Sequence, residues 1–128
     1  MNMTTRVAII EDNADNRMLL EALLADLYMI DEYEDGIAGL AGMIDSPPAL
    51  VLLDISLPQM TGTEVLERMR DTPSLARVPV IALTAHAMPE DRETFLAQGF
   101  DAYVAKPIVD EDVLFGEIER LLKAQSSA

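Results

Sequence analysis

Five short apolar runs alternating with five helix-patterned segments constrain this chain more than any other feature of its sequence. Arg6–Ile10, Leu50–Asp54, Val80–Leu83 and Ala102–Ala105 are short, continuous and partly β-branched, which predicts strands buried on both faces. Met29–Tyr33 carries Asp31 and Glu32 within the run and suits an edge strand. Asp15–Leu27, Ile37–Ile44, Thr63–Arg70, Glu90–Gln98 and Asp110–Lys123 read as helices. In the first of these, Leu19, Leu20, Leu23, Leu24 and Leu27 form a stripe broad enough to cover a sheet. Val113, Leu114, Ile118, Leu121 and Leu122 repeat the pattern in the last. Asp71-Thr72-Pro73-Ser74 supplies turn chemistry after the third helix, and Pro89 suits the first turn of the fourth. Gly99 stands where a left-handed helix cap is easiest for glycine. Repeated strand–helix alternation implies a parallel α/β sheet with helices on both faces, because right-handed crossovers leave few other topologies. Ligands of such sheets gather beyond the carboxyl ends of the strands.

Composition narrows the function classes. A chain of 128 residues has room for one domain and one core. No apolar stretch approaches the roughly 18–20 residues needed to span a bilayer, so no membrane segment is expected. Met1–Arg6 lacks the layout of a secretory signal. Cysteine is absent, which removes disulfides, thiolate metal sites and cysteine nucleophiles and fits a cytoplasmic location. The net charge of −14, from 9 basic and 23 acidic residues, argues against direct nucleic-acid binding. Most of the carboxylates taken singly are solvated surface groups. Binding or catalysis must then involve a cation, a basic partner or a local site that overrides the global field.

The strand ends carry such a site. The first run ends in Glu11 and Asp12, the third in Asp54, the fourth in Thr84 and the fifth in Lys106. A lone aspartate there would be a helix cap, a lone threonine a turn residue and a lone lysine a solvated one. Their joint placement suggests otherwise. Three converging carboxylates repel unless a cation joins them, and oxygen-only ligands favour a hard ion such as Mg²⁺ over zinc. A carboxylate is also a nucleophile towards phosphorus, with an ammonium and a hydroxyl as suitable partners for the transferring oxygens.

Four segments complete the pattern. They are Val7-Ala8-Ile9-Ile10-Glu11-Asp12-Asn13, Leu52-Leu53-Asp54-Ile55-Ser56-Leu57-Pro58-Gln59-Met60-Thr61-Gly62, Ala82-Leu83-Thr84-Ala85-His86-Ala87-Met88 and Ala102-Tyr103-Val104-Ala105-Lys106-Pro107. With them the chain resembles the receiver domains of bacterial two-component response regulators from Arg6 to Leu122. The resemblance implies a flavodoxin-like (βα)5 three-layer sandwich with strand order 2-1-3-4-5. It implies Asp54 as phosphoacceptor and Mg²⁺ as cofactor, with Mn²⁺ able to substitute. Asp12 and Asp54 would hold the metal directly, Glu11 through water, and the Ser56 backbone carbonyl would add a ligand. Thr84 and Lys106 would bind the phosphoryl oxygens, Tyr103 would turn inward on activation, and the Lys106–Pro107 peptide would be cis. The phosphodonor would be a histidine kinase or a histidine phosphotransfer protein. The output would pass through the face of the fourth helix, fifth strand and fifth helix to a protein partner or a dimer mate. Such a protein is a phosphoacceptor with slow autodephosphorylation and not an enzyme in the ordinary sense.

Some positions depart from the family or stay open. Tyr28 stands where the family often ends its first helix with glycine, so that helix is expected to end differently. His86, the only histidine, is either a plain loop residue or a modulator of aspartyl-phosphate hydrolysis. Met60 and Met88 are adaptable filler by default or part of a partner surface. Met18, Ala22 and Ala25 flank the leucine stripe and offer an apolar patch to a kinase or phosphotransfer helix. Ala124–Ala128 is a short polar tail to a single domain spanning 1–128, either a receiver that stands alone or one cut from a longer protein. Two other readings compete. One is a receiver-like module that only binds; the other is a haloacid-dehalogenase-like phosphatase, which needs an Asp where Ser56 stands.

Overall fold

The apolar runs form the strands that the pattern predicts: β1 (Arg6–Ile10), β2 (Met29–Tyr33), β3 (Leu50–Asp54), β4 (Val80–Thr84) and β5 (Ala102–Ala105). They pair in parallel in the order β2-β1-β3-β4-β5, the flavodoxin-like arrangement. The computed structural model describes residues 5–85, 91–106 and 111–126. β3 and β4 are buried along their whole length, which is why their sequences run apolar without alternation. β2 lies at an edge, where Asp31 and Glu32 remain partly solvated. Asp31 there takes a two-pronged hydrogen bond from Arg6 of β1, at 2.8 and 3.0 Å.

The helices are α1 (Ala14–Leu24), α2 (Gly36–Asp45), α3 (Gly62–Arg70), α4 (Asp91–Gln98) and α5 (Glu111–Ser126). Side chains of α1 and α5 pack with Val7, Ile9, Leu52, Ile81 and Val104 on one sheet face. Those of α2 and α3, with Phe95 of α4, pack with Ala8, Ile10, Val51, Leu53 and Ala82 on the other. Alternate residues of one strand thus serve two cores.

Helix ends follow local chemistry. Asn13 caps α1 by accepting from the Asn16 amide, so the helix starts at Ala14, one residue before the expected start. Thr61 and Glu64 form a reciprocal capping box at the head of α3. α1 stops at Leu24 without a left-handed residue: Leu27 and Tyr28 both donate backbone N–H bonds to the Leu24 carbonyl, at 2.9 and 3.0 Å. Tyr28 is buried in the core, and Gln59 is the only non-glycine with positive φ among the described residues. The leucine stripe is narrower than its spacing suggested. Leu20 and Leu24 are buried and Leu23 partly so, while Leu19 and Leu27 face outward. Gly99 does follow α4 with φ +110. Pro89, Met88 and the Lys106–Pro107 peptide fall outside the described residues.

Candidate metal centre

Strand register brings the polar residues together. Ile10 pairs with Leu53, so Glu11 sits level with Asp54; Asp54 pairs with Leu83 and Thr84 with Ala105, one residue before Lys106. The carboxylates of Glu11, Asp12 and Asp54 each bring an oxygen within 4.8 Å of the others. That separation lets one small cation touch or nearly touch all of them, and the donor set is all oxygen, as a hard divalent ion requires. Asp12 is exposed at the mouth, while Glu11 and Asp54 are buried beneath it.

Lys106 bridges the two buried carboxylates. Its Nζ stands 3.1 Å from Glu11 Oε1 and 3.1 Å from Asp54 Oδ1. Asp54 Oδ1 also accepts the Ser56 amide at 3.0 Å, and Glu11 Oε2 accepts the Asn13 amide at 3.1 Å. Burial alone would lower the Lys106 pKa, yet its bonds and charge attraction to Asp54 and Glu11 outweigh this and hold it above the ordinary lysine value. Lys106 is therefore a fixed cation between two buried anions.

Glu11 behaves differently. Burial pushes its carboxyl above the usual range, Asp54 adds to the rise, and the Asn13 amide and Lys106 oppose it. Without metal, Glu11 thus binds its proton more tightly in the folded chain than in the unfolded one. Folding takes up a proton between the ordinary glutamate pKa, about 4.3, and the raised value, so stability falls as pH rises through that window. Glu11→Gln should abolish this fall. Thermal melts in EDTA at several pH values should show the variant gaining on wild type as pH climbs through the window. A difference that does not change with pH would contradict it.

The β3–α3 loop depends on Gly62. A methyl group there would run into the Asp54 carbonyl oxygen and would stand 2.8 Å from the Ile55 Cα, while the Gly62 amide donates to the Ile55 carbonyl at 3.1 Å. Both obstacles are backbone and cannot rotate away. Gly62→Ala should cost about 1–3 kcal/mol and weaken divalent-ion binding by displacing Asp54. Denaturant unfolding and a Mg²⁺ titration would measure the two effects.

The sequence matches the response regulator receiver domain family over residues 7–119. The chain belongs to that family. Among curated relatives, the polar-differentiation response regulator DivK of Brucella ovis is 39% identical over 107 residues, covering 83% of this chain and 87% of the relative. The receiver domain of a sensor histidine kinase from Pseudomonas aeruginosa, solved with a magnesium ion coordinated in its active site cleft, superposes with TM-score 0.83. It is 32% identical and covers 93% of this chain and 98% of the other. A protein from Chloroflexus aurantiacus shares the fold alone, with TM-score 0.86 at 22% identity over 93% of this chain and 98% of the other.

Other residues of this receiver singled out from sequence fall into place unevenly. Thr84 is buried at the end of β4, and its carbonyl accepts the Lys106 amide at 2.8 Å. Ser56 is exposed beside Asp54. Tyr103 is partly buried against the ring of Phe95, centroids 5.6 Å apart, and Phe95 meets Phe100 edge-on. Met60 packs on the core and against Gly36, the filler role. Met18 and Leu19 are 67% and 41% exposed on α1. His86 lies outside the described residues. The structural parts of Gly62 and Gln59 were not foreseen; the Thr61-Gly62 step before a helix was the available signal for the first. No helix among the described residues is long and apolar enough to cross a membrane.

Proposed function

We propose that this receiver accepts a phosphoryl group on Asp54 in a Mg²⁺-dependent reaction, and that this phosphorylation switches a protein–protein surface. The observation that carries the reading is the Lys106 ammonium bridging Glu11 and Asp54 beneath an exposed Asp12. Asp12 and Asp54 would hold the ion with the Ser56 carbonyl, and Glu11 through water; Mn²⁺ would serve in the same oxygen set. Bound there, the ion supplies charge to the transferring oxygens. An Asp54 carboxylate oxygen forms the new bond to phosphorus as the phosphorus–nitrogen bond of a phosphohistidine breaks, and the electron pair stays on the imidazole. Lys106 turns its ammonium to a phosphoryl oxygen, and the Thr84 hydroxyl donates to another. The acyl phosphate then hydrolyses slowly, with no turnover of an external substrate.

The donor is a cytoplasmic histidine kinase or histidine phosphotransfer protein. Its helix fits the exposed Met18 and Leu19 patch of α1, beside the active end. Movement of Thr84 towards the phosphoryl group vacates space beside β4, and Tyr103 rotates off Phe95 into it. The output is a shallow groove on the α4–β5–α5 face, where Leu96, Tyr103 and Val113 line the floor beside Glu117 and Arg120. Asp101 and Glu117 line it, and Glu93, Glu111 and Asp112 add negative charge to the α4 and α5 sequences, which suits a basic or mixed protein partner or a dimer mate and argues against nucleic acid.

Incubation with Mg²⁺ and acetyl phosphate should add one phosphoryl group, seen by intact mass and removed by hydroxylamine, which cleaves acyl phosphates. No mass gain with a folded protein would overturn the reading.

A further inference from the structure

Strand β1 ends its pairing at Ile10, yet the residue that follows is wholly buried. The Glu11 amide still finds a partner, the Tyr33 carbonyl at 3.1 Å. The Glu11 carbonyl, past the end of the ladder, needs a donor from elsewhere. Arg17 supplies it: Nη1 donates to that oxygen at 2.7 Å. The cap at Asn13 makes this reach possible, because the Arg17 amide bonds to the Asn13 carbonyl in the first turn of α1 and the side chain folds back over the loop. Asn16 adds a longer contact, Nδ2 to Glu11 Oε1 at 3.4 Å. The peptide that leads into Asp12 is thereby held in one plane. Among the described residues the Asp12 side chain makes no hydrogen bond or ion pair, so backbone direction is what aims it.

We propose that Arg17 is a positioning residue for the metal site: by clamping the Glu11 carbonyl it aims Asp12, and metal affinity depends on it. The proposal rests on the reading of Glu11, Asp12 and Asp54 as the Mg²⁺ site. Two alternatives make different predictions. If Arg17 acted only through its charge, removing a cation near the site would tighten Mg²⁺ binding. If it acted through Glu32, whose Oε1 lies 3.9 Å from Arg17 Nε at a partly solvated position, neutralising Glu32 would matter equally.

The test is a Mg²⁺ titration followed by backbone amide shifts, on wild type, Arg17→Met, Arg17→Lys and Glu32→Gln. Arg17→Met keeps the stem and removes the donors, and should raise the Kd about tenfold, as loss of a partner behind a metal ligand does. Arg17→Lys keeps one donor in place of the fork and should raise it about threefold. Glu32→Gln should stay within about twofold of wild type. Labelling by acetyl phosphate should be slow in Arg17→Met at limiting Mg²⁺ and recover at saturation. Equal or tighter Mg²⁺ binding by folded Arg17→Met overturns the proposal, as does a labelling deficit that persists at saturation. Should Arg17→Met melt below the assay temperature, an unchanged Kd in Arg17→Lys overturns it instead. Absence of Mg²⁺ binding by wild type would instead strike the reading of the site itself.

Discussion

Asp54→Asn should take up no phosphoryl group under conditions that label the wild type fully. The substitution keeps the shape of the side chain at the end of β3, where burial leaves little room for a different one. An amide nitrogen or oxygen cannot form a stable acyl phosphate, so the chemistry is lost while the packing survives. Lys106 retains Glu11 at 3.1 Å as a partner, and the Ser56 amide can still donate to the amide oxygen. One negative charge fewer in a crowded anionic pocket offsets the lost ion pair, so the melting temperature without metal should change little or rise. Intact-mass measurement after acetyl phosphate treatment decides the matter. Labelling that persists in a folded Asp54→Asn variant would place the acceptor elsewhere and remove the centre of the proposed function.

The second large effect concerns metal. Asp12→Ala should weaken Mg²⁺ binding about a hundredfold. A unit charge pair about 4 Å apart is worth about 4 kcal/mol at an effective dielectric of about 20; a replacement water and the relief of repulsion return part of it, leaving about 2–3 kcal/mol. Glu11→Ala should cost less. On the proposed reading the Glu11 carboxylate, buried and hydrogen-bonded by the Asn13 amide and Lys106, reaches the ion only through water. A calorimetric Mg²⁺ titration of both variants measures the ranking. An unchanged affinity in Asp12→Ala, or a larger loss in Glu11→Ala, would reverse the roles assigned to the acidic pair.

Strand positions were legible because their cause is local. Val7, Ala8, Ile9 and Ile10 are all buried, alternate residues serving opposite cores, so the run cannot alternate in polarity. The charged Asp31 and Glu32 marked β2 as an edge for the same reason. Phasing of α1 was less legible. Five leucines at helical spacing do not say which of them point inward; contact with the sheet chose Leu20 and Leu24 and left Leu19 beside Met18 at the surface. Tyr28 showed only that a left-handed cap was excluded, and the remedy, a tightened last turn on the Leu24 carbonyl, came from burying the ring.

The sequence by itself determined the chemistry available at the strand ends: carboxylates, a hydroxyl and an ammonium, with no cysteine anywhere in the chain. It also determined that these groups share one end of a parallel sheet, since every strand must run the same way when helices return the chain. Tertiary structure alone decided their distances. That Lys106 stands between Glu11 and Asp54, 95 residues from the former, follows from the adjacency of β1, β3, β4 and β5, which no local pattern encodes. The close approach of Gly62 to the Asp54 backbone and the clamp of Arg17 on the Glu11 carbonyl are likewise contacts between separate segments. Such contacts depend on where packing brings two backbones to rest, and periodicity within either segment carries no record of it.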